Sequence, residues 1–406
     1  MNNPLTVKIN DHLTYIGVND RCTHLFEGMW PLPDGISYNS YLLDGGDEVC
    51  LLDCVKIPSI DEFLANIYSV LGDRDNDYVV VNHMEPDHTS SLPVLVERFP
   101  NIKIIGNKKT KDFLDHFYDL TENILVVKDG EEVAIGNTSL TFYTTPMVHW
   151  PESMVAFEKS TGTLFSQDAF GGYGTLDGAI FDDEINFDFY KDETIRYYTN
   201  IVGKYSGQVV RALDKLKDLD IKTICPDHGI VWRKNPGIIV DLYSKLANQE
   251  TENGVLLVYG SMYGHTEKMA EMIARSMAEE GISNIRIRNI SEYPLSNLIA
   301  EAWRYRGILL GCPTYNVGLF PPMANFVATL NKQKMKNHIF GYFSSYSWGG
   351  GAEKEFAAFA EKCKWDLLET TPNVQGALKE DDIEECMKLG REMAAALKEA
   401  YPDQYK

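Results

Sequence analysis

The segment His83-Met84-Glu85-Pro86-Asp87-His88 (HMEPDH) decides the fold, and it directly follows the apolar run Tyr78–Val81. Two imidazoles and two carboxylates within six residues cannot enter a core unless their charges are paired. Pro86 stiffens the turn that presents them. Sheets of the α/β type place their chemistry in loops at the ends of strands. The segment therefore predicts a metal-binding loop at the end of a strand.

Three more candidate ligands lie downstream, each just after an apolar, strand-like run. They are His149 in MVHWP, Asp168 in LFSQDAFGG and His228 in CPDHG. The chain has only 9 histidines, and four of them belong to this set. We therefore predict one metal site built from seven side chains: His83, Glu85, Asp87, His88, His149, Asp168 and His228.

The pattern of the chain changes near residue 250. Before it, short strand-like runs alternate with turns and a few helical patterns. The polar stretch Asn248–Gly254 is interpreted as a linker. After it, strand-like runs alternate regularly with amphipathic helices, beginning with strand Val255–Tyr259 and helix Glu267–Glu280. Five strands in this register, the last at Asn373–Gly376, predict a doubly wound parallel sheet. The predicted domains are residues 1–250 and 251–406.

Three loops of the second domain are predicted to follow strands at one edge of that sheet. The first, Gly260–Thr266, is rich in hydroxyl groups and precedes a helix, which suits a phosphate group. It has neither the Gly-Lys-Ser/Thr of a P-loop nor Gly-x-Gly-x-x-Gly, which disfavours a dinucleotide. The loops Cys312–Gly318 and Ser344–Gly351 combine aromatic residues with glycine, as a slot for a flat ring requires. The candidate cofactor-binding residues are Ser261, Met262, Tyr263, Gly264, His265, Thr266, Pro313, Thr314, Tyr315, Asn316, Ser345, Tyr346, Ser347, Trp348, Gly349 and Gly350.

These motifs carry a resemblance to a known family. The pattern His-x-Glu-x-Asp-His, followed by a distant His, Asp and His, resembles the metallo-β-lactamase superfamily, and the three loops resemble flavodoxin. Together they are similar to the flavodiiron proteins (A-type flavoproteins) over essentially the whole chain. The resemblance implies an N-terminal αββα sandwich, then a flavodoxin-like five-stranded parallel sheet. It also implies FMN, its phosphate in the first loop and its isoalloxazine between the other two, shielded by Trp348 or Tyr346, with Tyr315 on the other loop.

The resemblance also divides the metal ligands between two sites. It implies that His83, Glu85 and His149 bind one metal. It implies that Asp87, His88 and His228 bind the other and that Asp168 bridges them. Glu85 stands where the zinc hydrolases of the superfamily usually have histidine. Because a carboxylate is a harder ligand than imidazole and favours iron or manganese, two irons are expected.

The implied function is reduction of O2 to water, of NO to N2O, or of both, with electrons delivered through FMN. The preference between O2 and NO stays open. No C-x-x-C pair or NAD-binding motif occurs, so the donor is expected to be external: rubredoxin, a flavin reductase or a reduced deazaflavin. A head-to-tail homodimer or a dimer of dimers is also implied. Many family members carry a histidine near the metals where this chain has about Phe26. The proton donor is therefore open among His24, Tyr173 and Tyr198.

Composition narrows the partners and the compartment. The net charge of −21 argues against nucleic acid, because phosphate binding needs a basic face. No apolar run reaches the roughly 18–20 residues of a membrane span. The 7 scattered cysteines favour a reducing compartment, so a cytoplasmic location is expected.

Two alternatives remain open. The first is a metallo-hydrolase with an appended flavodoxin-like domain that has lost its cofactor, against which Glu85 and the aromatic loops count. The second is a pure electron-transfer module, against which the complete ligand set counts.

Overall fold

The computed structural model describes residues 5–405 and divides into two compact units between Asn248 and Gln249. Residues 1–4 and 406, at the outer ends of the predicted domains 1–250 and 251–406, lie outside the described residues. Within the described range, no helix combines the length and the apolar character that crossing a membrane requires.

The first unit is built from two mixed sheets and the helices that connect their strands. Its strands are β1 Val7–Lys8, β2 Leu13–Tyr15, β3 Val18–Asp20, β4 Leu25–Phe26, β5 Trp30–Pro31, β6 Ile36–Tyr38, β7 Tyr41–Asp44, β8 Val49–Leu52, β9 Tyr78–Val80, β10 Lys103–Gly106, β11 Ile124–Val126, β12 Glu132–Ile135, β13 Thr138–Thr144, β14 Met154–Glu158, β15 Thr163–Gln167 and β16 Thr223–Pro226. Its helices are α1 Ile60–Leu71, α2 Pro86–Thr89, α3 Leu92–Arg98, α4 Lys108–Tyr118, α5 Lys191–Tyr197, α6 Ser206–Leu216 and α7 Gly237–Ala247.

This unit contains two large sheets that contact each other through buried side chains. One has the order β1-β2-β7-β8-β9-β10-β11 and the other β12-β13-β14-β15-β16. Strands β8 and β9 are buried along their whole length, as expected of apolar strands covered on both faces. Tyr41 of the first sheet joins the second, because its hydroxyl donates to the Pro226 carbonyl at 2.6 Å and its ring packs on Phe165. This contact lies where the functional loops leave both sheets.

The second unit alternates strands and helices. Its strands are β17 Glu252–Tyr259, β18 Ile285–Asn289, β19 Tyr305–Tyr315, β20 Gly318–Leu319, β21 Ile339–Tyr346, β22 Asp366–Leu367 and β23 Asn373–Gln375. Its helices are α8 His265–Glu279, α9 Leu295–Arg304, α10 Pro321–Gln333, α11 Ala352–Cys363 and α12 Glu380–Ala400. The sheet order is β18-β17-β19-β21, all parallel, and β22 and β23 both pair in parallel with β21. The predicted fifth strand position is thus filled by two short pieces.

Two local predictions for this unit were wrong at their boundaries. The stretch interpreted as a linker ends in strand β17, because Glu252 already pairs with Tyr305 and a register shift precedes Val255. The first helix begins at His265 and not at Glu267, since Gly264 takes a left-handed conformation (φ +87°) that turns the chain directly into it.

Candidate metal and flavin sites

Four loops of the first unit converge on one buried cluster. The loop after β9 carries His83–His88, and the loops after β13, β15 and β16 carry His149, Asp168 and His228. The ligand atoms of His83, Glu85, His149 and Asp168 all lie within 4.8 Å of one another. Those of Asp87, His88 and His228 form a second such group. The structure therefore brings all seven predicted ligands together.

Asp168 lies between the two groups. Its Oδ2 atom is 2.9 Å from His149 Nε2 and 3.3 Å from His83 Nε2. Its Oδ1 atom is 3.0 Å from His88 Nε2 and 3.4 Å from His228 Nε2. Each carboxylate oxygen faces a different pair of imidazoles, which is the geometry of a bridging ligand.

Each group also has a carboxylate of its own. Glu85 Oε2 lies 3.1 Å from His149 Nε2 and 3.3 Å from His83 Nε2. Asp87 Oδ2 lies 3.4 Å from the Nε2 atoms of both His88 and His228. Each half of the cluster thus offers two ring nitrogens, one carboxylate of its own and one oxygen of the shared carboxylate.

Hydrogen bonds on the outer side of the cluster orient two of the rings. His83 Nδ1 donates to Glu152 Oε1 at 2.9 Å, and His228 Nδ1 donates to the Ser37 carbonyl at 2.7 Å. With Nδ1 bonded outward, Nε2 points into the cluster. Sequence reasoning missed Glu152, because its role depends on a hydrogen bond to His83, which lies 69 positions earlier in the chain.

Buried side chains hold the backbones of the loops that carry the candidate ligands. Asp53 accepts hydrogen bonds of 2.7 Å from both the backbone N–H and the side-chain amide of Asn82, where the HMEPDH loop begins. Gln167 accepts from the Asp168 N–H at 2.7 Å and donates to the Val148 carbonyl at 2.5 Å. These buried side chains fix the loops before any ligand is bound.

The cluster concentrates buried carboxylates and ring nitrogens. Burial lowers the pKa of His149, but hydrogen bonds to Asp168 and Glu85 outweigh it and raise that pKa to about 9. Both oxygens of Asp87 are buried and lack a hydrogen-bond partner among residues 5–405. The Nε2 atoms of His88 and His228 are only 3.1 Å apart. Unpartnered carboxylate oxygens and two ring nitrogens that face each other at this distance fit a pair of metal ions.

A cavity of about 260 Å³ opens onto the two carboxylates Glu85 and Asp87. Its lining includes Phe26, Glu27 and Tyr38. Desolvation and the nearby Glu85 carboxylate raise the pKa of Glu27 to about 7. Small molecules can enter this cavity beside the cluster, and the Glu27 carboxylate lies in its lining next to Phe26.

The three proton-donor candidates differ in their surroundings. His24 is exposed, and the Tyr198 hydroxyl is hydrogen-bonded to Ser206 Oγ at 3.0 Å. Tyr173 is buried against Phe26. The tyrosine rings that contact His228 belong instead to Tyr38 and Tyr197, with centroids at 5.6 and 5.5 Å. The side chains of adjacent helical residues point about 100° apart, so only one of Tyr197 and Tyr198 can face the cluster. The sequence alone did not show which of the two does so.

The three predicted cofactor loops lie at the carboxyl ends of β17, β19 and β21, which are neighbours in the sheet. Ser261 Oγ accepts a hydrogen bond from the Gly264 N–H at 3.0 Å, which shapes the first loop. Thr266 Oγ1 and Ser345 Oγ are 2.9 Å apart and join the first loop to the third. The remaining predicted residues lie on the same loops, on the adjoining strand ends or, for His265, at the start of α8: Met262, His265, Pro313, Thr314, Asn316, Tyr346, Ser347, Gly349 and Gly350.

Aromatic side chains on these loops project into solvent. Tyr263 is 88% exposed, Trp348 is 96% exposed and Tyr315 is 42% exposed. Large rings rarely stay exposed together unless they contact a ligand or a partner. Exposed rings on the loops that neighbour the hydroxyl groups at the N-terminus of α8 fit a flat ring attached to a phosphate.

Comparison with known proteins agrees with both sites. Residues 36–229 match the family model described as ODP family beta lactamase, and residues 257–390 match the flavodoxin model. The chain is 32% identical to a nitric oxide reductase of Moorella thermoacetica over 396 residues, covering 96% of this chain and 98% of the relative. It is 31% identical to a rubredoxin-oxygen oxidoreductase of Megalodesulfovibrio gigas, with the same coverage.

Solved structures also match this chain. The rubredoxin oxygen:oxidoreductase of Desulfovibrio gigas superimposes with a TM-score of 0.93 at 30% identity, covering 97% of this chain and 99% of that one. A flavodiiron protein of Giardia intestinalis gives a TM-score of 0.90 at 25% identity, with 97% and 98% coverage. The chain belongs to the flavodiiron protein family. The predicted family and the two-domain fold, a lactamase-like sandwich followed by a flavodoxin-like sheet, are confirmed.

Proposed function

We propose that this flavodiiron protein is an oxidoreductase that reduces O2 to water, NO to N2O, or both. The observation that carries the proposal is Asp168, whose two oxygens face two separate pairs of imidazoles in one buried cluster. The relatives named as a nitric oxide reductase and a rubredoxin-oxygen oxidoreductase support the two substrates.

The seven side chains would hold two irons. His83, Glu85 and His149 would bind one, Asp87, His88 and His228 the other, and Asp168 would bridge them. Two imidazoles with two carboxylate oxygens on each side form a hard, mixed donor set that suits iron better than thiolate-rich or all-imidazole sets do. When bound, the two irons and FMN supply the four electrons that convert O2 to two waters, or the two that convert two NO to N2O and water.

The protein's own residues orient the ligands of the cluster and shield the cluster from water. The cavity of about 260 Å³ has ample room for a diatomic molecule beside Glu85 and Asp87. The buried rings of Phe26 and Tyr38 limit the entry of water on that side. The outward hydrogen bonds of His83 and His228 keep the ring nitrogens aimed at the centre.

In the second unit, the loop Gly260–Thr266 would hold the FMN phosphate through backbone N–H groups and the hydroxyls of Ser261 and Thr266. The exposed rings of Tyr315 and Trp348 would contact the isoalloxazine. No lysine or arginine occurs in the first loop, so neutral hydrogen-bond donors would stabilise the charged phosphate.

The electron donor, the assembly and the location complete the proposal. We infer an external donor: a rubredoxin, a flavin reductase or a reduced deazaflavin. The name of the Megalodesulfovibrio gigas relative supports rubredoxin. We also infer a head-to-tail homodimer or a dimer of dimers, which would cover the exposed rings on the flavin loops. Scattered cysteines favour the cytoplasm. A monomer that keeps normal turnover at high dilution would contradict the assembly.

The variant Asp168→Ala tests the bridging role. We expect iron to fall well below about two per chain while FMN content is unchanged, because only the cluster loses a ligand. Asp220→Asn is the matched control, since Asp220 is an exposed carboxylate of the same unit. Metal analysis and released-flavin absorbance give both contents. Retention of two irons with full activity toward O2 and NO would contradict the proposal, and two zincs without flavin would favour the hydrolase.

A further inference from the structure

The second unit has a cavity of about 500 Å³ at the sheet edge opposite the flavin loops. It lies where β19 and β21 begin and where α10 and α11 end. We call it the basic cleft, and its charged lining consists of Arg306, Lys334, Lys336, Lys362, Lys364 and Asp366. It has no part in the metal cluster or the three cofactor loops.

The charge of the basic cleft is opposite to that of the chain. The whole chain carries −21, yet the cleft sets five cations against the single carboxylate Asp366. Lysines in the last turn of a helix often offset the helix dipole, because the C-terminus of a helix carries about half a negative charge. Two helix ends and Asp366 together offset about two of the five cations. An excess of about three positive charges remains in one cavity.

The cations of the basic cleft are available to a ligand. Arg306 donates to Asp366 at 3.2 Å, but its buried Nε–H has no hydrogen-bond partner in the described part of the chain. Over residues 5–405 the lysines that form ion pairs lie elsewhere, and the four lysines of the cleft form none. The four lysines are exposed, so their ammonium groups can bind an anion without breaking an ion pair.

One wall of the basic cleft contains the indole ring of Trp365. The indole N–H of Trp365 donates to the Met335 carbonyl at 2.9 Å, which fixes the ring against the wall. Leu330 and His338 complete this side. The volume of about 500 Å³ lies within the range of small-molecule sites and is far larger than an inorganic phosphate needs. The cleft therefore combines anion-binding groups with space for a bulkier, partly apolar moiety.

We propose that the basic cleft binds a phosphorylated small molecule of nucleotide size with about three negative charges, the class of a nucleoside diphosphate. Arg306 and the lysines bind the phosphate oxygens, and the Trp365 wall contacts the base or the sugar. The site is independent of the iron and flavin sites and goes beyond the proposed oxidoreductase function.

Isothermal titration calorimetry of the full iron- and FMN-loaded protein at fixed ionic strength tests the proposal. The probes are ADP, pyrophosphate and adenosine. We expect one ADP per chain, weaker binding of pyrophosphate and no binding of adenosine. In the double variant Lys336→Gln/Lys362→Gln, the ADP affinity should fall at least tenfold. The matched control is Lys332→Gln, because Lys332 lies on α10 but outside the cleft lining, and it should leave the affinity unchanged.

Three results would overturn the proposal. One is the absence of saturable ADP binding at millimolar concentration. Another is an unchanged ADP affinity in the double variant whose thermal unfolding matches the native protein. The third is pyrophosphate binding as tight as ADP binding, which would reduce the cleft to an oligophosphate site and refute its nucleotide selectivity.

Discussion

Replacing Glu152 by alanine is predicted to weaken iron binding without disturbing the flavin. Glu152 is fully buried, and its Oε1 atom accepts hydrogen bonds of 2.9 Å from His83 Nδ1 and from the Met84 N–H. It therefore holds both the ring of one predicted ligand and the backbone of the loop that carries four of them. Loss of such support beneath a metal-ligating histidine typically reduces metal affinity 10–100-fold.

The magnitude follows from the two orphaned donors. Each buried N–H left without an acceptor costs about 1–3 kcal/mol, so the free energy of unfolding should fall by about 2–6 kcal/mol. A 10–100-fold loss of iron affinity corresponds to about 1.4–2.8 kcal/mol. The assay is iron content after dialysis against graded chelator concentrations, with flavin content measured in the same samples. The midpoint for iron release should shift 10–100-fold toward lower chelator, and the flavin content should stay constant.

Two further variants make this test specific. Glu152→Gln keeps a carbonyl oxygen that can accept both hydrogen bonds, so it should lose less than tenfold in iron affinity. Glu132→Gln changes an exposed carboxylate of the same unit and should behave as the native protein. If Glu152→Ala released iron at the same chelator concentration as the native protein, the supporting role of Glu152 would be refuted.

Three other predictions concern the flavin loop, the pH dependence and the sheet ends. Trp348→Ala should weaken FMN binding about 3–10-fold without lowering the melting temperature or the iron content, because the ring is 96% exposed and stacks only on a ligand; unchanged flavin affinity would count against the stacking. Burial and the Arg306 cation lower the pKa of His338 from 6.5 to about 4, so the unfolded chain takes up its proton first. In urea unfolding, the contribution of His338 to the free energy of unfolding should be complete above pH 6.5 and should fall by up to about 3 kcal/mol toward pH 4. His338→Gln should remove this part of the pH dependence, and an identical pH dependence in the variant would contradict the prediction. Asn39→Ala should lower the unfolding free energy by about 2–4 kcal/mol and weaken iron binding, since its buried amide donates two 2.9 Å hydrogen bonds to carbonyls on both sides of His228; wild-type iron content and stability would contradict this.

The sequence was sufficient to group residues that have the chemistry of a metal ligand and also follow a strand-like run. The HMEPDH segment places four ligands in one turn, and His149, Asp168 and His228 each follow an apolar run that the structure forms as a strand or strand end. Because strands that end at the same edge bring their loops together, such residues can be assembled without coordinates. The exposed loops of the second unit were predictable for the same reason.

Sequence reasoning failed where a role depends on contacts between distant segments. Glu152 acts through a hydrogen bond across 69 positions, and nothing local distinguishes it from an ordinary surface glutamate. Glu27 lies at the cavity because strand Leu25–Phe26 pairs with strand Trp30–Pro31. Composition does not specify this pairing. Tyr197 and not Tyr198 meets His228, because α5 ends there and a π-helical turn follows. One position of helix phase decides which ring faces the cluster.

The most direct test of the central claim is anaerobic stopped-flow mixing of the fully reduced protein with O2 and with NO, followed at the flavin absorbance. We expect at least one of the two gases to reoxidise the native protein far faster than it reoxidises Asp168→Ala, with equal flavin content in both samples. Reoxidation of the native protein and the variant at the same slow rate with both gases would contradict it.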